Sequence, residues 1–349
     1  MHPPRGSRWA AAQHERSLAD ADAPPDTMTP RLPLAPRALV VGAVAAAAAA
    51  HGISSHAGSV IPVPSTCSVG GTCVAQLNAA LAACPATVQL DGGVYQLAAP
   101  AYSSLLQVGG CVGLTVAGAG STLLTSNIAT VISLSGMRDV LIANLTIDTV
   151  RLPYTTGVVT ATNATWTVLQ FDAAQYPFGD LAAYPWMLRA QAVLEYDVAN
   201  RRPANDAVDI YALTDAIPIV PLTQSTLALR VGGLAVGATF ILRHQVYAYN
   251  AFSGTTIANI TIRDVRVLAV AGMGVYLDNC TDITLDGFTV TRSGTRPMSI
   301  TADGAHFSNC RGGAVVLRDC VFEGQGDDGL NVPSLYVDVE AIDSPTSVQ

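Results

Sequence analysis

The sequence predicts an all-β protein: a right-handed parallel β-helix with an inserted antiparallel β module and a short N-terminal capping helix. Three observations predict it. Short β-branched runs alternate apolar with polar positions and are punctuated by Gly, Asn or Asp. Similar units return along the chain, first as GLTVAGAGSTLL and TVISLSGMRDVLIANLTID, later as TTIANITIRDVRVLAV, GVYLDNCTDITLDGFTV and AHFSNCRGGAVVLRDCVFEG. The units lack the Asn-Gly hairpin signals that a jelly roll or propeller would need between them. A coil of such strands cannot bury its own apolar face, so it stacks on the next, rising about 4.8 Å per coil.

Residues 1–60 stand apart in composition. A polar, Pro-rich leader runs to a basic flank with Arg31 and Arg37, followed by ALVVGAVAAAAAAHG. This is the order of a secretory signal, with Met28 as a suitable start for it. The apolar run from Ala38 to Ala50 is shorter than the roughly 20 residues of a spanning helix. The expectation is a secreted or secretory-pathway protein, with an uncleaved signal anchor as its one route to a membrane. Sequons at Asn144, Asn163, Asn259 and Asn279 accord with a glycoprotein.

Residues 61–150 read as an N-terminal cap and the first coils. CVAQLNAALAAC, from Cys73 to Cys84, is the one convincing amphipathic helix. Cys67, Cys73, Cys84 and Cys111 form two disulfides across the cap in a pairing the spacing leaves open. Cys280, Cys310 and Cys320 read as small apolar interior residues. Residues 151–250 break the strand rhythm and are richer in Pro and aromatics, which marks the inserted module. Residues 251–349 resume the coils. There Asn279-Cys280 recurs as Asn309-Cys310, Leu285 as Leu317, and Phe288 as Phe322.

Composition narrows the function. Of 349 residues none is Lys, the formal net charge is −8 and the pI about 5.1. Nucleic-acid binding needs a basic stripe, and Schiff-base or P-loop chemistry needs a lysine, so these classes are excluded. No Cys/His set has zinc-site spacing, so a structural zinc is not expected. An acidic cleft suits a neutral carbohydrate partner or a metal ion.

The stretch TADGAHFSNCRGGAVVLRDCVFEGQGDDGLNV holds three candidate catalytic carboxylates, Asp303, Asp327 and Asp328. Aligning GMGVYLDNC, TADGAHFSNC and QGDDGLNV as one strand repeated puts Gly274, Gly304 and Gly329 in register. Met273, Asp303 and Asp328 then occupy one position on successive coils, a single strand spacing apart. Gly326 and Gly329 flank the Asp pair and permit a bend that brings both side chains to the outer surface. A lone Asp-Gly would read as a turn, and an Asp ladder as a Ca²⁺ site. Two such motifs in register match the acid and base of glycoside hydrolysis. His306, three residues beyond Asp303, alternates to the inner face in a regular strand and is a weaker candidate for sugar binding. Met273 reads as a packing residue, with an apolar platform as the alternative.

These motifs, together with LRHQVYAYNAF and IANITIRDVRVLAVAGMGVYL, resemble the pectin-lyase-like parallel β-helix glycosidases. The polygalacturonases of glycoside hydrolase family 28 share the Asp-Gly and Asp-Asp on successive coils. The nearer resemblance, over residues 85–340, is to family 110, exo-acting α-1,3-galactosidases whose helix is interrupted by a β-barrel. That resemblance implies an inverting, cofactor-free hydrolysis of terminal α-galactosides by Asp303, Asp327 and Asp328; the similarity to the family 28 arrangement implies that Asp303 and Asp328 orient water and Asp327 donates the proton. It also implies that Arg243, His244 and Tyr247 line the sugar pocket, against packing at the module junction as the alternative for His244 and Tyr247. The chain departs from the family at Pro333-Ser334, where His-Gly is usual, and reads as C-terminally truncated at Gln349. The alternative function is a non-catalytic β-helix carbohydrate-binding or surface protein.

Overall fold

The computed structural model describes residues 58–334 apart from 70, 99, 179, 180, 182 and 183, together with the backbone of Ile342–Ser344 and Ser347–Val348. The leader and the apolar run from Ala38 to Ala50 lie outside the described residues. Among the described residues no helix is long and apolar enough to cross a membrane.

The protein is all-β, as predicted, and its main body is a parallel β-helix. One stack contains Ser59–Val63, Ala86–Leu90, Val112–Thr125, Arg138–Thr149, Ala258–Val267, Thr281–Asp286 and Val315–Arg318, each parallel to the next. The facing stack contains Ser103–Gly109, Ala129–Ser135, Phe252–Thr255, Val275–Asp278, Ala305–Ser308 and Leu330–Asn331, also parallel throughout. The chain alternates between the stacks, so every other side chain points inward. Val88, Leu114, Ile142, Ile262, Leu277, Leu285 and Phe307 fill the interior.

Corner residues explain the Asn, Asp and Gly punctuation. Gly136, Thr256, Asn279 and Asn309 stand one above another with φ between 52° and 59°. A second ladder of Asn144, Asp264, Gly287 and Asp319 has φ between 51° and 66°. Turning the chain there needs the left-handed region, which Gly enters freely and Asn or Asp more readily than other residues. One sequence pairing shifts: Phe322 is in register with Val290, not with Phe288. Both phenylalanines still face inward, because a two-residue slip preserves the face, and their rings pack at 6.2 Å.

The predicted helix spans Cys73–Ala82, with Leu77, Ala80 and Leu81 in the core. Asn78 covers the open edge of Ser103–Gly109: its Nδ2 donates to the Leu105 carbonyl at 2.7 Å and its Oδ1 accepts from the Gln107 N–H at 2.8 Å. An amide side chain thereby replaces the missing neighbour strand. The disulfides pair Cys67 with Cys73 and Cys84 with Cys111, while Cys280, Cys310 and Cys320 are free.

The insertion is antiparallel. Its main strands are Tyr154–Thr162, Thr167–Phe171, Ala192–Asp197, Ile217–Pro221, Thr226–Leu229 and Thr239–Arg243. Arg189–Ala190 pairs with Ile217–Pro221 at one edge, and Ala192–Asp197, one residue on, pairs with Thr239–Arg243 at the other. A single strand thus joins the two edges, and the sheet closes into a barrel with Tyr154, Leu169, Leu227, Leu229, Phe240 and Leu242 in its core. The excursion leaves the helix undisturbed, since Ile147 before it pairs directly with Val267 after it.

Candidate active site

The stacking of the coils creates the site. The Gly274 N–H donates to the Asp303 carbonyl at 2.9 Å, and the Gly304 N–H to the Asp328 carbonyl at 2.8 Å. Met273, Asp303 and Asp328 therefore occupy one position on three coils, as the sequence register requires. The glycines permit this close approach: a Cβ on Gly304 would lie 2.5 Å from the Gly329 carbonyl oxygen, and one on Gly274 would fall onto that of Gly304.

Asp303 is 2% exposed and Oδ2 lies 2.7 Å from His306 Nδ1. The bend at Gly304 breaks strict alternation, so His306 comes to the outer face beside Asp303 instead of turning inward. The same three-residue link recurs on other coils: Asn331 Nδ2 donates to Asp328 Oδ2 at 3.1 Å, and Asn250 Nδ2 to Ser253 Oγ at 3.0 Å. Burial raises the Asp303 pKa above the ordinary carboxylate value, opposed by the His306 hydrogen bond and reinforced by the Asp327 charge. The Asp328 pKa is also raised, by burial first and then by the charges of Asp327 and Asp303.

Asp327, by contrast, is gripped from the barrel side. Tyr247 donates a short hydrogen bond to its Oδ2, and the Tyr211 hydroxyl lies 3.4 Å from the same oxygen. The two rings stack at 6.4 Å, 13° from parallel. Burial, then Tyr211 and Asp327, push the Tyr247 pKa well up, so its hydroxyl keeps its proton and donates it. Among the described residues Oδ1 of Asp327 has no hydrogen-bond partner.

Arg243 ties these parts together. Its side chain is fully buried, and Nη1 donates to the Gly326 carbonyl at 2.6 Å and to the Tyr211 hydroxyl at 3.2 Å. Nη2 pairs with Asp209 Oδ1 at 3.1 Å, and the guanidinium lies 4.7 Å from the Tyr211 ring centroid. Gly326 has to be glycine because a Cβ there would meet the Thr301 carbonyl oxygen and sit 3.1 Å from Arg243 Nη1. The ion pair and the cation–π contact fix a planar fork under the Asp327 loop.

The structure brings Asp303, Asp327, Asp328, Tyr247 and His306 to one ledge and places Arg243 beneath it rather than in a pocket wall. His244 is elsewhere. It is buried inside the barrel, where Nδ1 donates to the Arg189 carbonyl at 2.8 Å and Nε2 therefore accepts from Thr155 Oγ1 at 2.8 Å. Its pKa is lowered to about 3 by burial and by the nearby Arg151 charge. His244 takes the packing role because it follows Arg243 directly at the end of Thr239–Arg243, which sends the two side chains to opposite faces. Met273 packs with Val246 and Ala302, also as read from the sequence.

Sequence reasoning missed Tyr211, Asp209 and Asn331. Asn331 was findable, because it stands three residues after Asp328 as His306 does after Asp303. Tyr211 and Asp209 carry no such signal: they reach the site only because Asp209–Tyr211 pairs with Ala192–Asp197, remote from the coils in sequence. Among the described residues no group of three or more His, Cys, Asp or Glu is arranged to hold a metal ion. Three carboxylates with unlike partners give the ledge groups able to transfer a proton and to bind water.

No family model matches the chain. It is similar to "Alpha-1,3-galactosidase A" of Shewanella woodyi, 35% identical over 165 residues, which cover 45% of this chain and 26% of the relative. "Alpha-1,3-galactosidase B" of Bacteroides fragilis is 40% identical over 84 residues, 23% of this chain and 14% of the relative. "Alpha-1,3-galactosidase B" of Bacteroides thetaiotaomicron is 21% identical over 251 residues, 68% of this chain and 40% of the relative. The chain thus spans about a quarter or less of the first two relatives' lengths. The chain is a parallel β-helix protein whose homologues include proteins named as α-1,3-galactosidases.

Proposed function

We propose that the protein is a glycoside hydrolase that releases a terminal α-galactosyl unit by single displacement with inversion, using Asp303, Asp327 and Asp328. One observation carries the reading: Asp303 and Asp328 stand in register on adjoining coils with Asp327 beside them on the same ledge. In this reading Asp303 and Asp328 grip the attacking water between them. Their raised pKa values make them stronger bases toward that water than ordinary carboxylates. Asp327 delivers the proton from Oδ1, while Tyr247 and Tyr211 hold Oδ2. Arg243 positions the loop, and His306 and Asn331 orient the two water-binding carboxylates. The sugar is carried over from the names of the relatives.

The test is hydrolysis of galactose-α-1,3-galactose followed by ¹H NMR from the first minutes. The proposal expects β-galactose to appear before mutarotation equilibrates the anomers. Early α-galactose would overturn inversion, and glycan binding without hydrolysis would assign the chain to the non-catalytic class. Secretion and glycosylation remain part of the proposal and are tested by expressing the chain in a secreting host and treating the product with an N-glycan-releasing amidase. Asn144, Asn163 and Asn279 are exposed, whereas Asn259 donates through Nδ2 to Asp139 Oδ1 at 2.6 Å and is the sequon expected to stay unmodified.

A further inference from the structure

We propose that Cys280 and Cys310 form a third cross-link site, where a low-molecular-weight disulfide converts the two thiols into a disulfide between successive coils. The inference is independent of the catalytic reading. Each cysteine follows a left-handed Asn corner, Asn279 with φ 52° and Asn309 with φ 54°. The Asn279 N–H donates to the Ser308 carbonyl at 3.0 Å and the Arg311 N–H to the Cys280 carbonyl at 3.2 Å, which sets the two cysteines in register. One coil rise of about 4.8 Å then separates their Cα atoms, inside the roughly 4.4–6.8 Å range of disulfides. The existing Cys67–Cys73 bridge spans 4.7 Å between Cα atoms. Cys280 is buried and Cys310 is half-buried, and their thiols donate to the Asp278 carbonyl at 3.3 Å and the Ser308 carbonyl at 3.4 Å, each two residues back on its own coil. Cys320 lies in the other stack, in register with Phe288.

The pair divides the chemistry. The neighbouring Cys280 thiol lowers the Cys310 pKa to about 7, and Cys310 is the more exposed of the two. Its thiolate attacks one sulfur of glutathione disulfide and expels a glutathione thiolate. The Cys280 pKa is held high by its contact with Cys310 and by burial, so it is not the first nucleophile. Once Cys310 is capped, that contact is gone. Cys280 then gives its proton to solvent, attacks the Cys310 sulfur and expels the second glutathione. Two protein thiols are oxidised and one glutathione disulfide is reduced to two glutathiones. The bond would tie the coil carrying Asp303 and His306 to the coil carrying Tyr276.

The experiment incubates the folded chain with glutathione disulfide near pH 8, removes the reagent, counts thiols after unfolding, and maps non-reduced tryptic peptides. With no lysine and with Arg296 followed by proline, trypsin places Cys280 in 267–292, Cys310 in 293–311 and Cys320 in 319–349. The expected result is a fall from three thiols to one, with 267–292 linked to 293–311. A Cys310→Ser chain should keep both remaining thiols. Three surviving thiols, a glutathione adduct that persists on Cys310, or a link involving 319–349 would each overturn the proposal.

Discussion

His306 Nδ1 lies 2.7 Å from Asp303 Oδ2 across the bend at Gly304, so a residue that strand alternation sends inward instead becomes the partner of a buried carboxylate. The hydrogen bond lowers a pKa that burial raises. Replacing His306 with Ala removes the lowering contribution, so the acidic limb of the kcat/KM profile should move to higher pH. His306→Gln, which retains a donor, should move it less. Unchanged limbs in both would separate His306 from the catalytic carboxylate.

Asp327→Asn should lower kcat by about a thousandfold, the scale of a lost general acid. Tyr247→Phe removes one donor to Asp327 Oδ2 and should lower kcat about tenfold, equivalent to one hydrogen bond of roughly 1.4 kcal/mol. Steady-state kinetics on an α-galactoside checks both, and a parental rate for Asp327→Asn would exclude Asp327 from the chemistry.

Asp303→Asn should abolish hydrolysis yet raise the thermal midpoint at pH 7. Because burial raises its pKa, the folded protein binds the Asp303 proton more tightly than the unfolded chain, and the ionised group costs stability above that pKa. The gain should vanish below the ordinary value of 3.8, where both states are protonated. Midpoints measured by scanning calorimetry across this window decide the point.

His244 should stay neutral in the folded protein down to a pH of about 3. Its folded pKa is depressed, so its stabilisation is complete above 6.5 and is lost as pH falls from there. In urea unfolding, a His244→Gln chain should show a slope of stability against pH shallower than the parent's by about 1.4 kcal/mol per unit over that range. Identical slopes would mean that the buried imidazole takes up its proton in the native state.

Thr256→Asn should stabilise the fold by about 1 kcal/mol, because an exposed β-branched residue with φ 56° occupies a corner where the coils above and below use Gly or Asn. Gly304→Ala should do the reverse by about 2 kcal/mol, since its Cβ meets the Gly329 carbonyl at 2.5 Å. Equilibrium unfolding of the two variants measures both signs.

Much of this protein is legible in its sequence because a coil's constraints are local and repeat. An inward position every second residue, and a left-handed corner that admits Gly, Asn or Asp, recur on each turn, so the residues alone place GMG, ADG and DDG above one another. The same repetition sets Asp303 one strand spacing from Asp328 and marks residues 151–250 as an insertion, which in the structure lies between Arg138–Thr149 and Phe252–Thr255. Tertiary structure alone decides how Asp327 is held. The barrel delivers Asp209 and Tyr211 to the ledge, its last strand sends Arg243 under the Asp327 loop, and the next residue, His244, goes into the barrel core. Those contacts join residues 32 to 116 positions apart without any repeat. Their geometry follows from where a closed barrel settles against a helix, and no local pattern encodes that.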